Sequence, residues 1–380
     1  MARFVKPLVL SISLFTSLAV VQNVAAEDSF AENKAAMLST FNQSKQNSID
    51  AFENSKLEYL AQFNKVKQEL AKTWDTPELT SRSTWVQYSQ DNTVKRAVNF
   101  ETGKITVEVV GDNLTSQNIA DVVQTQLTEL QTETTAEAYK KDKVVTSEKP
   151  SKLVANNKML PDVNVEALTK SATTSSIMQS NGLQITRVSM NYPKDNVAKK
   201  GLVYLPSVME KSAKWDVKPD LILAIMHTES HFNPMAQSHI PAYGLMQVVP
   251  TSAGRDVTKR FLGKEQLLPA EVLFNPEFNI DIGTGYLNIL QAHYLRKVKN
   301  PEIRTYLAIS AYNGGIGAVA RHFTGKTSLS ALAKKANTLE PDAVYFSLVN
   351  DFPAAETRNY LKKVYAKQQF YKKMLAVSNI

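Results

Sequence analysis

The sequence predicts an α+β protein in which a smaller mixed N-terminal part precedes a mainly helical C-terminal part. Three observations predict it. Residues 85–110, WVQYSQDNTVKRAVNFETGKITVEVV, alternate apolar and polar positions across two turn candidates. From about residue 203 the chain reads as helix after helix. Between them, residues 140–180 are rich in Lys, Ser, Thr and Asn with little periodicity, which predicts long connecting loops.

Each element follows from its residues. MARFVKP is a basic start, LVLSISLFTSLAVV an apolar stretch and VQNVAA a small-residue ending. Together they predict an export signal over residues 1–26, cut after Ala26. The alternative is a membrane anchor, although residues 8–21 are shorter than the roughly 20 residues a span needs. Residues 27–72 predict one long helix. FNQSK, FENSK and FNKVK recur so that Phe41, Phe52 and Phe63 share a stripe, because a period of about 3.67 residues per turn barely drifts from the helix's own. Such a stripe suits a packing face or a partner-binding coiled coil. Gln90-Asp91-Asn92 and Glu101-Thr102-Gly103 are the turns of an antiparallel meander. Residues 115–131 predict a helix and residues 183–190, LQITRVSM, a further strand. Pro219 suits the first turn of a helix. Asn275-Pro276 opens another through Tyr294, Pro301 one through Tyr312, and a last amphipathic helix runs from Thr357 to Leu375. The predicted division is thus 27–195 and 196–380.

The chain contains no cysteine, which excludes disulfides, thiolate metal sites, a cysteine nucleophile and a lipid carried on cysteine. An exported chain of this kind suits a bacterial periplasm. Of the formal net charge of +8, residues 201–380 hold 21 Lys/Arg against 14 Asp/Glu. A basic C-terminal half suits an anionic polymer or acidic lipid; nucleic acid is not expected behind an export signal. Nothing in the sequence sets an oligomeric state.

The chemistry centres on ILAIMHTESHF, residues 222–232, where an apolar helix delivers one carboxylate, Glu229, to its end at Asn233-Pro234. Partial desolvation there raises the pKa of a carboxyl group and suits it to donate a proton. His227 and His231 flank it as HTESH, but a zinc peptidase places its glutamate directly after the first histidine, so no metal is expected. Gly244, Gly314 and Gly315 allow turns or close backbone approach. Tyr312 and Tyr360 can equally be core aromatics, Asn313-Gly314 a helix stop, and Asp281 a helix-start residue.

ESHFNPMAQSHIPAYGLMQVVPTSAG (229–254), AYNGG (311–315) and ETRNYLKKV (356–364) occur in that order. The ordered set resembles the soluble-lytic-transglycosylase family of lysozyme-like peptidoglycan enzymes, whose pattern runs ES-x-FNP-x-A-x-S, GLMQ-x-x-P, AYN-[AG]-G and ET-x-x-Y. With FNPEFNIDIGTGYL (274–287) and the meander, the likeness extends to the membrane-bound lytic transglycosylase C type over nearly the whole chain. That type usually begins at a lipidated cysteine, which this chain lacks, leaving only peripheral membrane association at the outer membrane as an expectation. Val249 stands where many members have methionine. The resemblance implies a lysozyme-like C-terminal domain with Glu229 as catalytic acid and base. It implies Ser238 beside the reacting sugar, and Met246 and Gln247 in the saccharide floor. Tyr312 and Asn313 would hold the sugar at the cleavage point, and Tyr360 would hydrogen-bond near Glu229. The implied substrate is the peptidoglycan glycan strand, cut without water to leave 1,6-anhydro-MurNAc, with no cofactor. No Asp or Glu lies between Glu229 and Asp256; a second carboxylate is unnecessary if the sugar's own C6 hydroxyl attacks C1. A hydrolysing muramidase of the same fold and a non-catalytic peptidoglycan-binding protein are the alternatives.

Overall fold

Helix α1 runs from Phe15 to Leu70, beginning before the predicted start at residue 27 because no Gly or Pro interrupts residues 15–70. The computed structural model describes residues 15–112, 114–145, 157–160, 163–192, 196–238 and 241–377. Residues 1–14 of the predicted export signal therefore lie outside the described residues, as do the side chains of Phe41 and Phe52. Residues up to Ser55 form one compact unit and Lys56–Ile380 another. Within the second, the end of α1 buries Tyr59, Val66 and Leu70, and Phe63 packs against Tyr59 with ring centroids 6.2 Å apart.

The meander forms as predicted: β1 (Thr84–Tyr88), β2 (Val94–Asn99) and β3 (Lys104–Val110), turning at Asn92 and Gly103, both in the left-handed region. Helix α2 (Ser116–Thr132) starts at a Thr115 capping box. Short helices α3 (Thr135–Lys141) and α4 (Val165–Lys170) follow, then β4 (Thr173–Met178) and β5 (Gln184–Asn191). The antiparallel sheet has the order β1-β2-β3-β5-β4. Here the loop expectation for residues 140–180 is corrected, since α4 and β4 lie inside it. Every side chain of β4 is exposed, so TTSSIM shows no burial pattern; its pairing with β5, Thr173 opposite Ser189 through Met178 opposite Gln184, supplies the strand. An edge strand needs only one backbone ladder.

The helical part comprises α5 (Asn196–Val203), α6 (Leu205–Trp215), α7 (Pro219–Glu229), α8 (Arg255–Phe261), α9 (Ala270–Leu273), α10 (Pro276–Asn288), α11 (Pro301–Gly314), α12 (Ile316–Thr324), α13 (Leu329–Ala336), α14 (Pro341–Asn350) and α15 (Ala355–Val377). A π-helical segment, Ile289–Tyr294, completes the predicted run to Tyr294. The core is continuous across residues 195–196. Tyr139 packs on Phe274 at 5.9 Å and Tyr59 on Tyr243 at 6.3 Å. Gln237 donates to the buried Asp142 at 2.7 Å. Asp281 differs from expectation: the cap of α10 is Asn275, while Asp281 accepts from Trp215 Nε1 at 2.6 Å and Lys214 Nζ at 2.8 Å.

Candidate active site

Helix α7 is positioned by its apolar residues. Leu221 to Met226 are all buried, and α15 packs along them. Fully burying one such side chain contributes about 1.5–3 kcal/mol. Glu229 is the last helical residue, and Ser230 caps the end. The Ser230 hydroxyl donates to Leu245 O at 2.8 Å and accepts from Phe232 N at 3.1 Å. His231 and Phe232 then take left-handed φ values of 51° and 63°, a conformation that costs about 1–2 kcal/mol for residues other than glycine. The helix thus ends before the predicted stop at Asn233-Pro234, in a strained turn that Asn233 closes by donating its N–H to Ser230 O at 2.9 Å, while its side chain accepts from Met235 N at 3.1 Å.

Glu229 is 6% exposed, and Tyr360 of α15 donates to its Oε1 at 2.7 Å. Burial pushes the carboxyl up to about 7, outweighing the Tyr360 hydrogen bond and the Arg82 charge, both of which favour the carboxylate. Tyr360 and Tyr312 are themselves held well above the ordinary phenol value, by burial first and by Glu229 next. Around neutrality the site therefore holds an acid poised to give or take a proton beside two neutral phenols.

The second wall is the GLMQ turn. Gly244 sits at φ 75°, where a Cβ would run into Asn279 and Leu273 O. Asn279, fully buried on α10, accepts from Met246 N at 2.8 Å and donates to Tyr243 O and Leu273 O at 2.8 and 2.7 Å. Tyr312 donates to Met246 O at 2.9 Å. The Met246 side chain is fully buried, in contact with Thr284. Its predicted place in the saccharide floor is corrected on that ground: a side chain without exposed surface supports the wall from beneath. Gln247 is also in the left-handed region. Its Nε2 braces the turn through Ala236 O and Gly244 O, at 3.0 and 3.1 Å, while its Oε1 is buried with no hydrogen-bond partner among the described residues. Ser238 is buried, its backbone N–H donating to Ala242 O at 3.2 Å. Asn313 accepts from Thr357 Oγ1 at 2.7 Å, joining the end of α11 to the start of α15.

The flanking histidines pack as aromatics. Their rings lie 5.5 Å apart, and His227 Nδ1 is hydrogen-bonded to Tyr371 at 2.9 Å. Burial pushes them down to about 3 and about 4, so both are neutral at pH 7. Sequence reasoning missed Asn279, Ser230 and a charged pair at the mouth, Arg82 and Glu356, 3.5 Å apart. Asn279 lies in the quoted 274–287 block without any feature singling it out. Arg82 precedes β1, far from the motif blocks, so no local signal connects it to Glu229.

Two family profiles match the chain: the SLT transglycosylase domain over residues 206–333, and the N-terminal domain of membrane-bound lytic murein transglycosylase C over residues 21–161. Curated relatives span most of the chain. The membrane-bound lytic murein transglycosylase C of Actinobacillus pleuropneumoniae serotype 5b is 34% identical over 307 residues, covering 78% of this chain and 83% of the relative. That of Salmonella arizonae is 36% identical over 300 residues, covering 76% and 82%. This chain belongs to the membrane-bound lytic murein transglycosylase C family. It is accordingly a lytic transglycosylase, of the α+β class predicted. Among solved structures, the 70 kDa soluble lytic transglycosylase of Escherichia coli is 28% identical, with a TM-score of 0.36 over 45% of this chain and 24% of that one. Among the described residues, no helix is long and apolar enough to cross a membrane.

Proposed function

We propose that this family member cleaves the β-1,4 bond between MurNAc and GlcNAc in peptidoglycan glycan strands, leaving 1,6-anhydro-MurNAc ends. The observation that carries this is the buried Glu229, pushed up to about 7 and held by Tyr360. In its acid form, Glu229 gives its proton to the glycosidic oxygen as the C1–O bond breaks and the bonding pair leaves with that oxygen. The resulting carboxylate takes the proton of the C6 hydroxyl as O6 bonds to C1. The donor ends the cycle reprotonated and no water is consumed. The attack is intramolecular, so proximity replaces a second activating carboxylate.

Ser238, Gln247, Tyr312 and Asn313 take the roles of holding the sugar. The unpartnered Gln247 Oε1 supports this, as an acceptor for a sugar hydroxyl or amide N–H. Residues 196–380 carry the groove and residues 27–195 position it. Residues 1–26 serve export to the envelope, and the basic C-terminal half suits a polymer whose stem peptides carry carboxylates.

Mass spectrometry of the products from purified sacculi tests the reaction. The expected muropeptides are one water lighter than hydrolytic ones; products of hydrolytic mass would establish a muramidase instead, and no release would leave a binding protein. Mature protein beginning at Glu27 in the periplasmic fraction is the corresponding outcome for the export signal.

A further inference from the structure

The residues before β1 reach the mouth of the site. Ser81 O accepts from Gln237 N at 3.3 Å and from Asn233 Nδ2 at 3.5 Å, and Arg82 O accepts from Asn233 Nδ2 at 3.4 Å. Two residues of the 229–254 block therefore pin this segment by its backbone. The Arg82 side chain remains 44% exposed and, among the described residues, makes one ion pair, a single 3.5 Å contact with Glu356, itself 67% exposed. Glu356 and Tyr360 are one turn apart on α15 and share a face, and Tyr360 holds Glu229. The guanidinium thus pairs with the residue one turn before the one that binds the candidate acid. It is near enough for its charge to bear on both Glu229 and Tyr360.

A guanidinium offers five donors in a fork that fits a carboxylate through two parallel bonds. One long contact to an exposed glutamate leaves most of that capacity unused, and an exposed pair of this kind is weak enough to exchange. We infer that Arg82 is a specificity residue of the front segment, receiving a carboxylate of the stem peptide carried by the sugar at the cleavage point, with Glu356 as the partner it exchanges. This rests on the peptidoglycan reading above. The chemistry is non-covalent: one ion pair is given up and a bidentate pair forms with the substrate.

The test uses full-length protein and two sets of glycan fragments of equal length, with and without stem peptides. The readout is the ratio of kcat/KM between them. Wild type should prefer the peptide-bearing set. Arg82→Ala should lower the ratio about ten-fold, carried mainly by KM, a loss of the size expected for one charge-assisted hydrogen-bonded pair. Arg82→Lys, which keeps the charge without the fork, should recover part of it. Glu356→Gln, which frees Arg82, should hold or raise the ratio. Circular dichroism confirms that each variant is folded. An unchanged ratio in Arg82→Ala would overturn the assignment. So would an equal loss on both sets accompanied by a shifted pH profile, which would mean that Arg82 acts on Glu229, or a fall in Glu356→Gln as deep as in Arg82→Ala. Failure of wild type to release anhydro products from either set would instead overturn the peptidoglycan reading, and is distinguished by product mass.

Discussion

Buried carboxylates are treated in opposite ways on the sheet and in the helical part. At the sheet, Glu133 at the end of α2 is bound by Arg96 of β2 and by Lys141 at 3.0 Å, and Glu108 of β3 by Arg187 and by Lys95 at 2.5 Å. Both of these glutamates have cations, and the hydrogen bonds continue into Gln87 and Gln126. In the helical part, Glu229 is equally buried but has a hydroxyl where the others have a cation, and among the described residues no cation lies within ion-pair distance of it. Pairing keeps a buried carboxylate charged and makes it structural. Burial without a paired cation leaves the carboxyl holding a proton it can give away.

Substitutions test that contrast. The largest effect should be on turnover. Glu229→Gln cannot cycle a proton and should lower anhydro-product release by about 10²–10⁴-fold while sacculus binding persists in a pull-down. Retention of a tenth of wild-type release would break the single-carboxylate mechanism.

Next in size is stability on the sheet. Arg96→Met takes the buried cation from Glu133 and leaves it only Gln87 and the half-exposed Lys141, and should cost about 3 kcal/mol in urea denaturation. Adding Glu133→Gln should cost less than the two single losses combined, since they share one interaction. Strict additivity would mean that the pair is not the unit it looks to be.

The third outcome has the opposite sign. Folded Glu229 keeps its proton to about 7, while in the unfolded chain it gives the proton up near the ordinary carboxyl value of 4.5. Wild-type stability therefore falls as pH rises from 4.5 to 7 and levels off above. Glu229→Gln lacks that loss. It should be more stable than wild type by about 3 kcal/mol at pH 8, with the gain absent at pH 4. Thermal unfolding at both pH values measures this, and a destabilised variant at pH 8 would collapse the comparison.

The smallest effect concerns Tyr360. Its hydrogen bond favours the carboxylate, so Tyr360→Phe should push Glu229 further up and move the alkaline limb of the pH–rate profile to higher pH. Activity at pH 7 should drop about ten-fold, the scale of one lost hydrogen bond to a charged group. An unmoved limb would show that burial alone sets the acid.

Much of this was legible in local pattern. Period-two alternation marked β1 to β3, Pro219, Pro276 and Pro301 marked helix starts, and a solid apolar run marked a helix whose end is desolvated. Asp281 was misread because carboxylates favour both helix starts and indole N–H partners, and only packing against Trp215 decides between them. Met246 was misplaced because a motif gives a residue's company without giving the direction its side chain takes; the close approach of α10 turns it inward. β4 escaped notice because an edge strand is specified by its neighbour's backbone, which leaves no mark on its own side chains.

By itself the sequence determined the α+β class, the helix that carries Glu229, the absence of any thiol chemistry and the family resemblance, because periodicity, caps and ordered motif blocks are properties of neighbouring residues. Tertiary structure alone decided that Asn279 holds the GLMQ turn, that Arg82 stands at the mouth of the site, and how Tyr360, which the family resemblance puts near Glu229, reaches it. Tyr360 lies 131 residues from Glu229 along the chain. Contacts over such separations leave no local pattern; they arise when the apolar faces of α7 and α15 exclude water together and bring their polar ends to one place.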